Sequence, residues 1–438
     1  MKKLTDKYFV TGHPIGHSLS PVIHGAFLED AGIEETYGII DIEPDSFPEK
    51  LEEFKKDKKG FNVTIPHKIA AFNAVDFKDD YAEKVGAVNT VKIENGKLYG
   101  YNTDGTGFIR ALEKKGVTVE GKKICIIGAG GAVNSVAVKM HICGAREIII
   151  LSRRKEQAQA LCEKHGFGVA DSLENFEKYD YDILVNATPV GMHPNVGQSP
   201  VKNIKKCEFV YDLIYNPAQT EFLKMAQQQG IKNDNGLWML VYQAAETFKI
   251  WTGVYPTEKA LEKAYSDSVA ALEKKNIVLT GFMGVGKSTT GRIVAKKLGV
   301  QLLDTDEEIE KSCKMTISEI FAKYGEEKFR EIETKVIKSL SEKRGCVISC
   351  GGGVVKSKTN MDYLKRYGKI VNLYASVDKI IQNIGDDTNR PLIYGKNRNE
   401  IEKLMQDREE FYKNCDLRID VTMLSPDEAA EEIIKALK

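Results

Sequence analysis

Two glycine-rich segments constrain this sequence most strongly, because each lies between a short apolar run and a stretch of helical periodicity. The first is KKICIIGAGGA, which begins at Lys122, and the second is NIVLTGFMGVGKST, which begins at Asn276. Such turns join a buried parallel strand to a helix, and their backbone N–H groups can approach a phosphate at the helix N-terminus. The sequence therefore predicts two nucleotide-binding units in one chain.

The rest of the chain alternates in the same way between short apolar runs and helical stretches. Further runs that read as buried strands are YFVTG, YGIIDI, GFNVTI, EIIILS, DILVNAT, EFVYDL, CVISCGGG and KIVNLY. This alternation predicts an α/β fold built from βαβ units. The helical segment from Pro256 to Asn276 is expected to close the first unit and to run almost directly into the second. The predicted domains are residues 1–105, 106–272 and 273–438.

Composition narrows the class of protein. Lys plus Arg and Asp plus Glu both number 63, so no global field attracts nucleic acid or an anionic membrane. The eight cysteines form no CxxC pair and have mostly apolar neighbours, which favours buried thiols over disulfides or zinc ligands. No apolar run is long enough to span a bilayer. We expect a soluble cytoplasmic protein that acts on small-molecule substrates, and the sequence leaves its oligomeric state open.

The first glycine segment carries the features of a dinucleotide site. Its turn is GAGGA, with residues Gly128, Ala129, Gly130, Gly131 and Ala132. The next predicted strand ends at Ser152, Arg153, Arg154 and Lys155, where a carboxylate is expected if the ribose 2′-hydroxyl is free. Arginine can bind a phosphate through two parallel hydrogen bonds, so this cluster favours NADP over NAD. Without a bound cofactor, the GAGGA segment would be an ordinary strand–helix turn and the basic cluster a solvated turn.

Polar residues before this segment suggest a site for a polyhydroxylated carboxylic acid. Ser18 and Ser20 lie near a predicted helix start, and Asp104 lies in a Gly-flanked turn. Hydroxyls, amides and a Lys/Asp pair suit such a ligand, and the candidates are Ser18, Ser20, Thr64, Lys68, Asn89, Asn102 and Asp104. Each of them alone also reads as a cap or turn residue.

From Gly12 to about Gly253 the sequence resembles shikimate dehydrogenase. The matching segments are GHPIGHSLSP, GFNVTIPHK, GAVNT, YNTDGTG, GAGGA, NATPVGM, DLIYNPAQT and NGLWMLVYQAAETF. The resemblance implies a substrate-binding α/β domain closed by the helices near 237–272, and a Rossmann-type NADP-binding domain. It also implies roles in substrate binding for Ser18, Ser20, Thr64, Asn89, Tyr215 and Gln243, and places Ile214 and Gly236 along the nicotinamide.

The same resemblance makes Lys68 and Asp104 the catalytic pair for hydride transfer between NADPH and the 3-keto group of 3-dehydroshikimate. An alkoxide develops in that reaction, so a proton donor lowers the barrier. We expect Lys68 to be that donor, and a purely electrostatic role in binding is the alternative. The sequence departs from the family at Val133-Asn134, where Ala-Arg is common, and at Ser152, where Asn is usual.

The second glycine segment is a full Walker A motif, which runs from Gly281 to Ser288. In such a loop the backbone cradles phosphates, Lys287 reaches the β- and γ-oxygens, and Ser288 ligates magnesium. The predicted nucleotide contacts are Gly284, Val285, Gly286, Lys287, Ser288 and Thr289. No NKxD motif follows, and the length suits a kinase of a small metabolite.

Four later segments resemble shikimate kinase: LLDTDEEIE, IFAKYGEEKFREIE, SCGGGVV and DDTNRPLI. The resemblance implies a P-loop kinase domain with a central parallel sheet. It gives shikimate contacts to Asp306, Arg330, Gly352 and Arg408, with Asp306 also orienting the attacking hydroxyl. It places Asp304 near Mg²⁺ and Arg390 on a lid over the ATP phosphates, where Arg390 stabilises the transferring charge. The sequence departs from the family at Gln382-Asn383, where an adenine-stacking Arg is common.

Together these features predict a bifunctional enzyme that uses NADP, ATP and Mg²⁺. Its first part would reduce 3-dehydroshikimate to shikimate, and its second part would phosphorylate shikimate at the 3-hydroxyl. The alternatives are a dehydrogenase that also accepts quinate or NAD, one active half fused to a regulatory half, and a nucleotide-binding scaffold without turnover. The last alternative leaves the predicted substrate contacts unexplained.

Overall fold

Three sheets organise the part of the chain that the computed structural model describes, which is residues 6–15, 18–166, 168–192, 195–273, 275–384 and 398–437. Two six-stranded sheets lie in one compact unit, Met1–Ala270, and a five-stranded sheet lies in a second, Ala271–Lys438. This architecture confirms the predicted α/β class. No described helix is both long and apolar enough to cross a membrane.

The first sheet is mixed and has the strand order β2-β1-β3-β5-β6-β4. Its strands are β1 (Asp6–Gly12), β2 (Thr36–Asp41), β3 (Gly60–Val63), β4 (Phe77–Lys78), β5 (Thr90–Glu94) and β6 (Lys97–Tyr101). The helices along this part of the chain are α1 (Ser20–Asp30), α2 (Phe47–Asp57), α3 (Lys68–Ala74), α4 (Asp80–Val85) and α5 (Asp104–Lys114). The strand β1 is parallel to β2 and β3, whereas β5 is antiparallel to both of its neighbours.

The second sheet is entirely parallel, with the order β12-β11-β10-β7-β8-β9. Its strands are β7 (Lys123–Ile127), β8 (Glu147–Ser152), β9 (Val169–Ser172), β10 (Ile183–Asn186), β11 (Phe209–Asp212) and β12 (Lys232–Asn235). Its helices are α6 (Gly131–Ile142), α7 (Lys155–His165) and α8 (Glu221–Gln228). The strand order reverses between β7 and β10, and doubly wound sheets bind ligands at such a switch point.

Two further helices complete the first unit, α9 (Leu237–Thr252) and α10 (Glu258–Glu273). The helix α9 packs against α1, α5 and β5 of the first sheet, and the indole N–H of Trp251 donates to Val91 O at 2.9 Å. The helix α10 lies in the segment predicted to close the unit, and β13 begins three residues after it at Asn276. The proposed division near residue 105 stays a prediction.

The third sheet is also entirely parallel, with the order β14-β15-β13-β16-β17. Its strands are β13 (Asn276–Gly281), β14 (Leu302–Asp304), β15 (Val347–Ser349), β16 (Gly368–Tyr374) and β17 (Leu417–Asp420). The helices are α11 (Lys287–Leu298), α12 (Thr305–Cys313), α13 (Ile317–Ser341), α14 (Lys358–Tyr367), α15 (Val377–Ile384), α16 (Arg398–Tyr412) and α17 (Pro426–Ala436). The predicted central parallel sheet is therefore confirmed.

One local prediction is wrong. The YNTDGTG segment predicts a Gly-flanked turn that holds Asn102 and Asp104, but Asp104 is the first residue of α5. The glycines permit close packing of that helix instead. A Cβ on Gly107 would lie 2.6 Å from Gln243 N on α9, and one on Gly105 would lie 2.7 Å from Ser135 O on α6.

Candidate active sites

Lys68 and Asp104 form an ion pair in the first unit. Each is the first residue of its helix, α3 and α5, and Lys68 Nζ donates to Asp104 Oδ2 at 2.6 Å. The lysine side chain is 27% exposed and the aspartate side chain 13% exposed. The lysine side chain therefore stays partly exposed, while the carboxylate that holds it is mostly buried.

Asn89 holds the other oxygen of the Asp104 carboxylate. Its amide nitrogen donates to Asp104 Oδ1 at 2.7 Å, and its amide oxygen accepts the Thr103 backbone N–H at 2.9 Å. The backbone contact fixes which way the amide points, because an N–H can only donate. Gln243 from α9 also reaches Asn89, with Oε1 3.4 Å from its amide nitrogen. The structure thus brings four predicted residues together: Lys68, Asn89, Asp104 and Gln243.

Ser18 and Ser20 lie where the chain enters α1 after β1, and Thr64 directly follows β3. Ser20 is buried at the start of α1, as predicted, and its N–H donates to Ser18 Oγ at 3.2 Å. The backbone of Thr64 accepts from His67 N at 2.9 Å, in the turn that leads into Lys68. Among the described residues, no side-chain hydrogen bond joins these three hydroxyls to the Lys68–Asp104 pair.

A cavity of about 570 Å³ lies at the switch point of the second sheet. Gly128, Ala129 and Gly130 line one side of it, after β7, and Ala187 and Thr188 line another, after β10. Gly128 has a φ of +117°, which a side chain would strain. A Cβ on Gly130, or on Gly131 after it, would meet no atom within 4 Å, so their backbone faces open space that fits a pyrophosphate.

The cationic cluster after β8 divides into two parts. Ser152, Arg153 and Arg154 line the cavity, and Arg154 N donates to Ser152 Oγ at 3.2 Å. Both arginines are exposed, and neither forms an ion pair within the described residues. Lys155 instead pairs with Asp171 at 3.1 Å and does not line the cavity. The structure thus sets Lys155 apart from the other predicted cofactor contacts.

Ile214 and Gly236 meet after β11 and β12. Gly236 N donates to Ile214 O at 3.2 Å, and a Cβ on Gly236 would collide with the carbonyl of Leu213. Glycine is therefore required there by packing alone. Tyr215 follows Ile214 and is half-buried.

Asp212 organises this edge, and the sequence analysis missed it although it begins the DLIYNPAQT segment. It is fully buried and accepts from Ile214 N at 3.1 Å, Asn186 Nδ2 at 3.0 Å and Thr220 Oγ1 at 2.6 Å. Burial raises the pKa of its carboxyl group to about 6, although these donors act in the opposite direction.

The Walker A loop of the second unit connects β13 to α11. Gly284 and Gly286 have φ values of +82° and +96°, so the loop uses backbone conformations that glycine adopts without strain. Lys287 is buried, and Nζ donates to Gly281 O at 2.9 Å and Phe282 O at 3.0 Å. Val285 packs in the core, while Ser288 and Thr289 are exposed on the first turn of α11. This arrangement fits a bound polyphosphate.

Ser288 and Asp304 place two hard oxygen ligands together. Ser288 Oγ donates to Asp304 Oδ2 at 2.7 Å, and Asp304 Oδ1 accepts from Asp306 N at 3.0 Å at the start of α12. Mg²⁺ prefers such oxygens and usually completes its shell with water and substrate phosphates. Within the described ranges no group of three or more His, Cys, Asp or Glu side chains could hold a metal. The two oxygens of Ser288 and Asp304 fit a magnesium ion whose other ligands are water and nucleotide phosphates.

Asp306 lies beside the glycine triplet that follows β15. Burial, and then the charge of Asp304, raise the pKa of the Asp306 carboxyl group. A Cβ on Gly351 would lie 2.7 Å from Asp306 Oδ1. The glycine therefore lets the backbone approach the carboxylate closely.

Arg330 reaches the last glycine of the triplet from α13. Its Nη1 lies 2.9 Å from Glu333 Oε2, and its Nη2 lies 3.1 Å from Glu326 Oε1. Glu333 is 2% exposed, and its burial raises the pKa of its carboxyl group. A Cβ on Gly353 would lie 2.8 Å from Arg330 Nη1. The guanidinium group is thus held against the triplet by two carboxylates.

Arg408 and Tyr412 contact the central glycine from α16. Tyr412 OH donates to Gly352 O at 2.8 Å, and Arg408 Nη1 lies 3.4 Å from the same oxygen. Both residues are buried, and the sequence analysis missed Tyr412. The predicted residues Asp306, Arg330 and Arg408 therefore all lie next to the glycine triplet Gly351–Gly353.

Two predictions concern the end of α15 and the segment that follows it. Asn383, at one of the departures from the family pattern, donates from Nδ2 to Gly284 O of the Walker A loop at 2.9 Å. The Asn383 side chain therefore binds the backbone of the Walker A loop within the protein. Arg390 lies outside the described residues, so its predicted lid role stays a prediction.

The fold and sites define the class of protein: a Rossmann-type dehydrogenase unit followed by a P-loop kinase unit. Family models match in the same order. Residues 10–91 match the shikimate dehydrogenase substrate binding domain, residues 110–219 shikimate / quinate 5-dehydrogenase, residues 236–264 the shikimate 5′-dehydrogenase C-terminal domain, and residues 283–438 shikimate kinase.

Individual relatives agree with these matches. The NADP(+) shikimate dehydrogenase of Caldanaerobacter subterraneus subsp. tengcongensis is 45% identical over 261 residues, which are 57% of this chain and 93% of that protein. That of Methanococcus maripaludis strain C6 is 43% identical over 270 residues, 59% of this chain and 95% of its own length. A solved relative is Thermus thermophilus shikimate 5-dehydrogenase in complex with NADP(H) and shikimate. It has a TM-score of 0.56 and 36% identity, and the match covers 60% of this chain and 99% of that one.

The chain belongs to the shikimate dehydrogenase family and carries a shikimate kinase domain at residues 283–438. It is a bifunctional enzyme of the shikimate pathway.

Proposed function

We propose that the first unit reduces 3-dehydroshikimate to shikimate with NADPH, and that the second phosphorylates shikimate at its 3-hydroxyl with Mg·ATP. The observation that carries the first half is the Lys68–Asp104 ion pair, with Asn89 and Gln243 beside it. The observation that carries the second is the set of acidic and cationic side chains around the glycine triplet Gly351–Gly353.

In the dehydrogenase site, the chain's residues bind the acid and supply a proton. Ser18 and Ser20 would hold the carboxylate, and Thr64, Asn89, Gln243 and Tyr215 would hold the ring. Lys68 Nζ would donate a proton to the oxygen that becomes the 3-hydroxyl, and Asp104 keeps the ammonium group in place. When bound, NADPH supplies the hydride.

The cofactor would lie in the cavity at the switch point. The exposed backbone of Gly130 and Gly131 would bind its pyrophosphate, and Ile214 and Gly236 would border the nicotinamide. Arg153 and Arg154 line the cavity without a carboxylate partner among the described residues, so they are available for the 2′-phosphate of NADP.

In the kinase site, positioning and charge neutralisation dominate. Arg330 and Arg408 would bind the carboxylate of shikimate, and Gly352 would contact its ring. Asp306 would orient the attacking hydroxyl and accept its proton, a role that suits a carboxyl group whose pKa is raised by burial. Lys287 would bind the phosphates of ATP, and Ser288 and Asp304 would hold Mg²⁺, which neutralises developing charge.

The test assays the two reactions separately on the purified full chain. The first mixture contains 3-dehydroshikimate and NADPH, and both NADPH oxidation and shikimate formation are followed. The second contains shikimate, ATP and Mg²⁺ without a nicotinamide, and shikimate 3-phosphate is measured by chromatography. We expect turnover in both. Absence of shikimate in the first, or of shikimate 3-phosphate in the second, contradicts the corresponding half, and parallel reactions with quinate and with NADH test the broader-specificity alternative.

A further inference from the structure

We propose that Thr247 is a positioning residue of the dehydrogenase site, a role that the resemblance did not assign to it although it lies in the NGLWMLVYQAAETF segment. Thr247 lies on α9, is fully buried, and has its hydroxyl among three other buried polar side chains. Its Oγ1 lies 2.7 Å from Thr90 Oγ1, 3.2 Å from Thr103 Oγ1 and 3.3 Å from Asn62 Nδ2. This inference rests on the proposed role of Lys68 and Asp104.

The direction of the hydrogen bonds follows from what each group can donate. The amide oxygen of Asn89 accepts the Thr103 N–H, and Thr90 Oγ1 lies 3.0 Å from the same oxygen. A carbonyl oxygen can only accept, so the Thr90 hydroxyl proton points to Asn89. A hydroxyl has a single proton, and Thr90 must therefore accept from Thr247.

The result is a chain of hydrogen bonds that runs in one direction toward the ion pair. Thr247 donates to Thr90, Thr90 donates to Asn89, and Asn89 donates to Asp104 Oδ1 at 2.7 Å. Each bond in such a series polarises the next. Thr247 thus holds Asn89, and through it Asp104, in the orientation that keeps Lys68 in place.

The network belongs to the substrate side of the unit. Asn62, which also contacts Thr247, accepts a hydrogen bond from Tyr37 OH at 2.8 Å. Asn62 lies on β3 and Tyr37 on β2, so both belong to the first sheet. None of the residues in this chain of contacts lines the cavity proposed for NADP. Loss of the Thr247 hydroxyl is therefore expected to affect the reacting acid and leave the cofactor unaffected.

The experiment compares Thr247→Val, which replaces the hydroxyl with a methyl group, with Thr247→Ser, which keeps the hydroxyl and loses the methyl group. Thr252→Val is the matched control, because Thr252 lies on the same helix and its hydroxyl donates to Phe248 O at 2.7 Å. For Thr247→Val we expect kcat/KM for 3-dehydroshikimate to fall roughly tenfold, the effect of one lost buried hydrogen bond. The KM for NADPH should stay within twofold, and Thr247→Ser and Thr252→Val should resemble the wild type.

Several results would overturn the inference. One is a Thr247→Val enzyme within twofold of the wild type, and another is an equal loss in Thr252→Val or an equal rise in the KM for NADPH. If Thr247→Val does not fold, Thr247→Ala is judged by the same criteria. A wild-type chain that fails to turn over 3-dehydroshikimate overturns the proposed function as well, whereas an active wild type with an unaffected valine variant overturns only the role of Thr247.

Discussion

The hydroxyl of Tyr412 offers a sharp test of the kinase site, because it holds the backbone that carries the glycine triplet. Tyr412 is 5% exposed and donates to Gly352 O at 2.8 Å. The other donor to that oxygen, Arg408 Nη1, is at 3.4 Å and makes the weaker contact. Tyr412→Phe removes the stronger bond and keeps the packed ring.

The size of the effect follows from this geometry. A buried neutral hydrogen bond contributes about 1 kcal/mol net, and an unsatisfied buried carbonyl costs about 1–3 kcal/mol. Arg408 remains near the Gly352 oxygen in the variant, so we expect a cost of about 1 kcal/mol. This cost corresponds to a roughly fivefold decrease in kcat/KM. The loss should fall on kcat/KM for shikimate and not on the KM for ATP, because Gly352 is proposed to contact shikimate.

The assay measures shikimate 3-phosphate by chromatography, without added nicotinamide, so that the first unit does not consume shikimate. Tyr367→Phe is the matched control, since Tyr367 is the last residue of α14, directly before β16, and it has no hydrogen bond to the glycine triplet among the described residues. The reasoning is refuted if a folded Tyr412→Phe enzyme keeps kcat/KM for shikimate within twofold of the wild type, or if the KM for ATP rises to the same extent.

Three further predictions concern cofactor choice and pH. Arg153→Ala and Arg154→Ala should each raise the KM for NADPH about tenfold at low ionic strength, with the KM for NADH unchanged; equal changes in both would contradict a 2′-phosphate contact. Burial lowers the pKa of His24 to about 3, so the unfolded state alone takes up its proton as pH falls below about 6.5, and stability is lost. Urea titration of the wild type and of His24→Leu measures the free energy of unfolding of the first unit at pH 7 and pH 5. Between these pH values it should fall about 2 kcal/mol more in the wild type than in the variant, and an equal fall in both would contradict this. The acid limb of kcat/KM for the kinase should lie at a higher pH than the roughly 3.9 of an ordinary Asp, because the pKa of Asp306 is raised; a pH–rate profile that falls only near pH 4 would contradict its role as base.

The buried strands could be predicted because they are continuous apolar runs. All ten runs read as strands lie in the three sheets, and the two glycine turns lie at the strand–helix junctions expected for them. The edge strands β4, β9, β12 and β17 were missed because they are short and partly polar; β12, for example, is KNDN. The antiparallel pair β5 and β6 could have been found, since Asn95-Gly96 between them has both φ values positive and is a strong hairpin signal.

Site residues could be predicted where a short sequence motif indicates their role. They were harder to predict where the role depends on a partner that is distant in the sequence. Lys68 and Asp104 are 36 residues apart, and the resemblance paired them. Lys155 belongs to a basic cluster in the sequence, but Asp171 on the neighbouring strand pairs with it. Thr247 and Asp212 both lie in segments that match the family, but their hydrogen-bond partners are on other elements, so the sequence did not reveal their roles.

The central claim is that one chain carries two separate active sites for consecutive reactions, and a mixing experiment tests it most directly. Full-length Lys68→Ala and Lys287→Ala are each given 3-dehydroshikimate, NADPH, ATP and Mg²⁺, and shikimate 3-phosphate is measured. Neither variant alone should form it, and an equimolar mixture should, because each supplies the site that the other lacks. Formation of shikimate 3-phosphate by either variant alone, or its absence from the mixture while the wild type forms it, would contradict the account.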